Sequence, residues 1–232
     1  MPSRARERAL RRKGRRRIAG VDEAGRGCLA GPVVAAAVLL LERWSVEGVA
    51  DSKALSPQRR EALAVLIREQ ALSWAIGRAE VAEIEALNIL RATHLAMARA
   101  LATLEPPADF ALVDGLPVPG LPCPHEAFPG ADADCVCVAA ASILAKTTRD
   151  QWMREYDAEF PGYGFAAHKG YATVAHREAL HRQGPCALHR RTFAPVAALI
   201  KASPVFADSQ RLGGLNQRQD CGYGDSRSPL SD

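Results

Sequence analysis

Apolar positions fall into short unbroken runs and helical stripes, and their order along the chain predicts alternating strands and helices. Arg17–Glu23 reads as a strand that ends in two adjacent acids. "GPVVAAAVLLL" reads as a second, mostly buried strand, and the glycine loop between the two suits a hairpin. Ser56 is a natural N-cap and Pro57 suits the first helical position, with Leu63, Leu66 and Ile67 as the helix's apolar stripe. "LSWAIGRAEV", residues 72–81, reads as a third strand. "ALNILRATHLAMARALATL" sets Leu87, Leu90, Leu95 and Ala98 at helical spacing and predicts one helix that stops before Pro106.

"DFALVDG" is a short buried strand ending at Asp114 and Gly115. Pro117, Pro119, Pro122, Pro124 and Pro129 follow and forbid a long helix there, leaving room for a brief strand at His125–Phe128. "CVAAASILAKTTRDQWMREY" is a clear helix, and its run of small residues lets it lie close against a sheet. Thr173 caps a short helix through Arg182, and "HRRTFAPV" reads as irregular. The order predicts an α/β layer, helices against a mixed sheet, with a small helical extension at the C-terminal side.

Composition adds bounds. The 232 residues suit one good-sized core, and 48% hydrophobic with 24% charged content is that of an ordinary globular protein. The longest apolar run, Val33–Leu41, is too short to span a bilayer, and no apolar signal core follows the basic N-terminus. Export is not expected, and reduced cysteines and a cytoplasmic location are. Cys135 and Cys137 beside alanines read as packing rather than as a zinc pair. Residues 1–16 are expected to form a basic flexible arm, either solubilising or touching phosphates, because the first seventeen residues hold nine basic side chains and one acid. Residues 17–202 would form the folded domain. From 203 to 232 the apolar pattern vanishes, and disorder is expected.

The acids carry the chemistry. Asp22 and Glu23 end one strand, Asp114 ends another, and Asp132 precedes a helix. Strand ends are where α/β sheets gather function. Carboxylates brought together repel unless cations neutralise them, and hard oxygen donors select Mg²⁺ or Mn²⁺. Neighbouring strand residues point to opposite faces, so Asp22 and Glu23 converge only if the chain bends, which Gly25 permits. Arg26 between Gly25 and Gly27 offers a guanidinium and backbone amides to a polyanion. Alone, each acid reads as a solvated loop carboxylate and the glycine loop as an ordinary turn.

Taken together, "GVDEAGRGCLAGPVV", "DSKALS", "LVDG", "AAASILAKTTRD", "YGFAAHKGYAT" and "HRRTFAPV" resemble bacterial ribonuclease HII, from about Ile18 to Val196. The resemblance implies a ribonuclease H-like fold and an Mn²⁺- or Mg²⁺-dependent endonuclease. Its substrates would be RNA–DNA hybrids and duplex DNA carrying single ribonucleotides, nicked on the 5′ side to leave 3′-hydroxyl and 5′-phosphate ends. It places the catalytic, metal-holding acids on Asp22, Glu23, Asp114 and Asp132. The substrate-gripping loop falls on Gly25, Arg26 and Gly27, the junction-sensing tyrosine on Tyr171, and phosphate contacts on Lys53 and Lys169. Gly130 stands where the family usually has a lysine, and Asp134 is a second candidate for the fourth acid. His168 and His189 read as loop histidines, and Lys146 either approaches the acids or pairs with Asp150. A monomer is expected. A ribonuclease HIII-like enzyme, a non-catalytic nucleic-acid-binding module and a dehydrogenase built on the glycine loop explain less: the first needs a large extra N-terminal domain, the second leaves the acids unexplained, and the third lacks its ribose-binding acid.

Overall fold

The structure, a computed structural model, describes residues 2–44, 48–49 and 55–202. Helix α1 (Ala5–Arg12) leads into strands β1 (Ile18–Ala24) and β2 (Val33–Leu40). Next come α2 (Pro57–Gln70), β3 (Ala71–Ala79), α3 (Val81–Leu87), α4 (Ile89–Ala102), β4 (Phe110–Asp114) and β5 (His125–Phe128). Helices α5 (Ala131–Asp134), α6 (Val136–Glu159), α7 (Phe165–His168), α8 (Val174–Gln183) and α9 (Ala194–Ala202) follow.

The strands form one mixed sheet in the order β3-β2-β1-β4-β5. β2 runs antiparallel to both β1 and β3, while β4 and β5 run parallel to β1. β2 is buried at every position, which is why it reads as an unbroken apolar run instead of an alternation. One face packs Ile18, Val38, Leu40 and Leu112 against α2 and α6. The other packs Val21, Ala35, Ala37 and Val113 against Met97 and Leu101 of α4. The alternation along β1 therefore sends Asp22 to the α6 face and Glu23 to the α4 face. The small residues Ala139, Ala140 and Ala141 let α6 lie on β1 so closely that a Cβ on Gly20 would meet the Cys137 carbonyl carbon at 2.1 Å.

Three expectations change. The basic arm is not loose: Ala5–Arg12 is a helix, with Leu10 in the core beside Ile18. Glu7 is buried and accepts the Cys137 amide, and Arg6 pairs with Asp134 and Glu126 while covering the Phe128 ring. Nine basic residues masked one buried face, because Glu7 and Leu10 stand three apart on the same side of a helix. The single helix expected over residues 86–104 is broken at Asn88, whose φ of 70° turns the chain and whose side chain caps Leu90 and Arg91. The irregular C-terminal stretch becomes α9 from Ala194. The tail from 203 lies outside the described residues.

His189 lies in the connection after α8 but is buried, and His168, half-buried at the end of α7, packs toward it through His176. The His168 and His176 rings stack with centroids 4.1 Å apart, and His176 Nε2 lies 3.1 Å from His189 Nε2. His176 Nδ1 donates to the Tyr171 carbonyl and the Cys186 amide donates to His189 Nδ1, so His189 Nε2 donates to His176. Burial holds the His189 pKa down at about 3. The unfolded chain takes up this proton near about pH 6.5, so the contribution is whole above that and is lost as pH falls. Urea titrations should show wild type losing roughly 3 kcal/mol through this group between about pH 6.5 and 4. His189→Asn should flatten that slope, and an unchanged slope would remove the group from the account.

Candidate active site

β1 and β4 run parallel with Val21 beside Val113, so Asp22 and Asp114 leave the sheet together on the α6 face. Asp22 is only 5% exposed. Its Oδ1 accepts the Glu23 amide at 2.7 Å, and Ser142 of α6 hydrogen-bonds its carboxylate. Burial raises the Asp22 pKa well above the usual carboxylate range, and the nearby Glu23 and Asp114 raise it further. Glu23 is also raised, by burial first, although Arg26 at 3.1 Å opposes this. Asp114 Oδ1 accepts the Ala131 amide at 2.8 Å, which ties α5 to the end of β4.

Asp22, Glu23 and Asp114 line one cavity of about 210 Å³ with Ala24, Gly25, Arg60, Ser142, Lys146 and Tyr171. The face problem is solved at the strand end: Glu23 also lines a smaller cavity on the α4 side with Arg26, His94 and Asp114. Asp132 is 5% exposed on α5, next to the Ala131 that binds Asp114, but it does not line the shared cavity. Asp134 points the other way, exposed and paired with Arg6 at 2.9 Å. Among the described residues no three acids or other donors stand ready at ligand spacing. Glu23 Oε1 accepts from Arg26 and Asp114 Oδ1 from the Ala131 amide, so one oxygen of each carboxylate is engaged within the protein. The donor set nevertheless fits a hard divalent cation: all oxygen, mutually repelling and partly buried.

Two basic side chains, Arg60 and Lys146, line the same cavity as the acids. Lys146 donates to Asp150 at 2.6 Å, and Asp150 lies 3.8 Å from Arg60. The Lys146 ammonium also sits over the Tyr171 ring, 5.4 Å from its centre. Both readings of Lys146 therefore hold: it pairs with Asp150 and it lines the cavity. Tyr171 is 42% exposed. Lys169 does not line the cavity, and its ammonium turns onto the Ala166 carbonyl. Lys53 lies outside the described residues.

The two glycines around Arg26 differ in kind. Gly25 has φ +96° and a Cβ there would meet Arg149 Nε at 2.0 Å, so the protein's own packing demands glycine. Gly27 has open space around it, so nothing within the chain demands it. Gly27→Ala should keep the melting temperature within about 2 °C, yet cut kcat/KM on an RNA–DNA hybrid by roughly tenfold or more. Full activity would mean that no ligand comes close there.

Arg60, Ser142 and the buried Arg149 and Arg190 were not singled out by the sequence. Arg60 left a trace: it sits on the stripe of Leu63, Ala64 and Ile67, where an apolar residue belongs.

Residues 19–196 match the family described as Ribonuclease HII. The chain is 56% identical over 188 residues to the ribonuclease HII of Syntrophotalea carbinolica, covering 81% of this chain and 90% of that one. It is 55% identical over 187 residues to the ribonuclease HII of Moorella thermoacetica, covering 81% and 91%. The crystal structure of ribonuclease H2 from Pyrococcus horikoshii superposes with a TM-score of 0.68 at 27% identity, over 81% of this chain and 98% of that one. A ribonuclease H-type mixed sheet, acids at its strand ends and matches along most of the chain lead to one assignment: this protein belongs to the ribonuclease HII family, endoribonucleases that act on RNA–DNA hybrids.

Proposed function

We propose that the enzyme also nicks duplex DNA on the 5′ side of a single embedded ribonucleotide, leaving 3′-hydroxyl and 5′-phosphate ends. Its work would be ribonucleotide and RNA-primer removal, as a cytoplasmic monomer. No helix among the described residues is long and apolar enough to cross a membrane. The observation that carries the reading is a single cavity lined by the acids Asp22, Glu23 and Asp114 together with Arg60, Lys146 and Tyr171. Acids alone would repel a phosphate, and basic side chains alone would bind without cutting.

Asp22, Glu23, Asp114 and Asp132 hold Mn²⁺ or Mg²⁺ in this reading, as a pair of ions. Bound there, such ions lower the pKa of a water and neutralise charge on a leaving oxygen. The chain's own side chains do the rest. Ser142 orients Asp22, Arg26 presents an exposed guanidinium to the backbone phosphates, and Lys146 and Arg60 balance their charge. Tyr171 lays its ring against the sugar and reads the 2′-hydroxyl, the group that separates RNA from DNA. Gly25, Gly27 and Lys169 shape or flank this surface, and Lys53, outside the described residues, is proposed as a phosphate contact.

Cleavage mapping on three labelled duplexes tests this: one with a single ribonucleotide, one fully hybrid and one all DNA. The expected result is a cut 5′ of the lone ribonucleotide with Mg²⁺ or Mn²⁺, none with EDTA, and none in the all-DNA duplex. Cleavage confined to runs of ribonucleotides would point to a ribonuclease HIII-like preference. Binding without any cleavage would leave only the non-catalytic reading.

A further inference from the structure

Two arginines are almost entirely enclosed, Arg149 of α6 at 1% exposure and Arg190 at 0%. Neither has a carboxylate partner among the described residues. Each spends its guanidinium on main-chain carbonyls instead. Arg149 donates to Ala30, Pro32 and Lys169 at 2.8–3.0 Å. Arg190 donates twice to Gly31 and once to Arg26, at 2.8–2.9 Å. Burial and the neighbouring Arg149 lower the Arg190 pKa to about 10, so Arg190 remains charged at neutral pH. Burying two like charges without counter-ions is costly, and packing alone gives no reason for it.

The carbonyls they select belong to the segments that carry Arg26 and Tyr171. Those segments are also laced directly: Leu29 donates to Gly170, Gly31 to Leu188 and Arg190 to Leu29 through their backbones. We infer that Arg149 and Arg190 are positioning residues that lock the Gly25–Gly31 loop and the Lys169–Tyr171 turn into one rigid cradle. That cradle keeps the guanidinium of Arg26, on the smaller cavity beside Glu23, in register with the ring of Tyr171, on the acid cavity. The pair also places two uncompensated positive charges beneath a surface that receives phosphate, which lysine alone would supply without the geometry. The inference rests on the proposed ribonucleotide-sensing role of Tyr171.

Arg190→Lys and Arg149→Lys keep the charge but cannot span several carbonyls at fixed angles. Each variant is first checked for folding by circular dichroism and melting. Discrimination is then measured as the ratio of kcat/KM on the single-ribonucleotide duplex to kcat/KM on the full hybrid. The expected result is a roughly tenfold or greater drop in that ratio in folded variants, from misplacement on the ångström scale. A ratio unchanged from wild type in a folded variant overturns the inference, as does loss of activity on both substrates in equal proportion. Hydrogen exchange on the wild-type protein serves if neither variant folds. Amides of residues 28–31 and 170–171 should then open together, with protection factors within about tenfold of each other. Independent opening of the two segments overturns the cradle. Wild type that fails to cut the single-ribonucleotide duplex at all refutes the functional reading instead, so the two failures are told apart.

Discussion

Asp22→Asn removes cleavage, with kcat falling by roughly 10³-fold or more, while the metal-free protein becomes more stable at neutral pH. The first half follows from position. Asp22 is the most enclosed acid of the cavity, and Glu23 and Asp114 crowd it. Replacing its carboxylate takes away a charge on which the proposed cation binding depends, and cation assistance is worth several kcal/mol in phosphoryl displacement. The second half follows from linkage. A raised carboxylate pKa means that the folded state holds the proton more tightly than the unfolded chain. Stability is therefore highest at low pH for this group and declines as pH rises from the unfolded pKa through the folded one. The amide carries no such penalty. In EDTA, Asp22→Asn should melt above wild type at about pH 8, with the gain shrinking toward about pH 4. Near-native cleavage by Asp22→Asn, or a lower melting temperature at pH 8, would contradict the reading of this carboxylate as a strained functional group.

Gly20→Ala has the largest structural effect. Gly20 lies inside β1, and its missing Cβ is the space in which the Cys137–Val138 backbone of α6 sits, with contacts of 2.1–2.3 Å to an added methyl. Main chain on both sides cannot rotate away as a side chain would. The helix would have to lift from the sheet, opening the core around Val138, Ala139 and Ile143. Ordinary overpacking costs about 1–3 kcal/mol, and a backbone clash at this depth should exceed 4 kcal/mol. At this chain length that amounts to a drop of roughly 10 °C in melting temperature, or failure to fold. Because Ser142 on the same helix binds Asp22, any folded remainder should lose activity too. A melting temperature within a few degrees of wild type would show that α6 does not lie as close as described.

Much of this was legible from local pattern. The unbroken apolar run of β2, the Ser56 and Thr173 caps and the small-residue face of α6 each follow from nearest-neighbour chemistry, and each is found. The acids at strand ends were legible as well, because charge at the end of a buried run is conspicuous. What escaped depends on tertiary partners. The α1 face is revealed only by the Cys137 amide and Ile18 that it covers. Arg149 and Arg190 look like surface residues until the carbonyls of Ala30, Gly31 and Lys169 converge on them. His189 likewise depends on His176 and Cys186, residues brought to it by the turn after α8. Asp132 is buried, and it is not among the residues that line the cavity.

The central claim is that the carboxylates of Asp22, Glu23 and Asp114, with Asp132 beside them, exist to hold divalent cations. A manganese-soaked crystal, read by anomalous scattering, tests it most directly. The account predicts density between Asp22, Glu23 and Asp114. Density absent from that cavity at saturating manganese would contradict it.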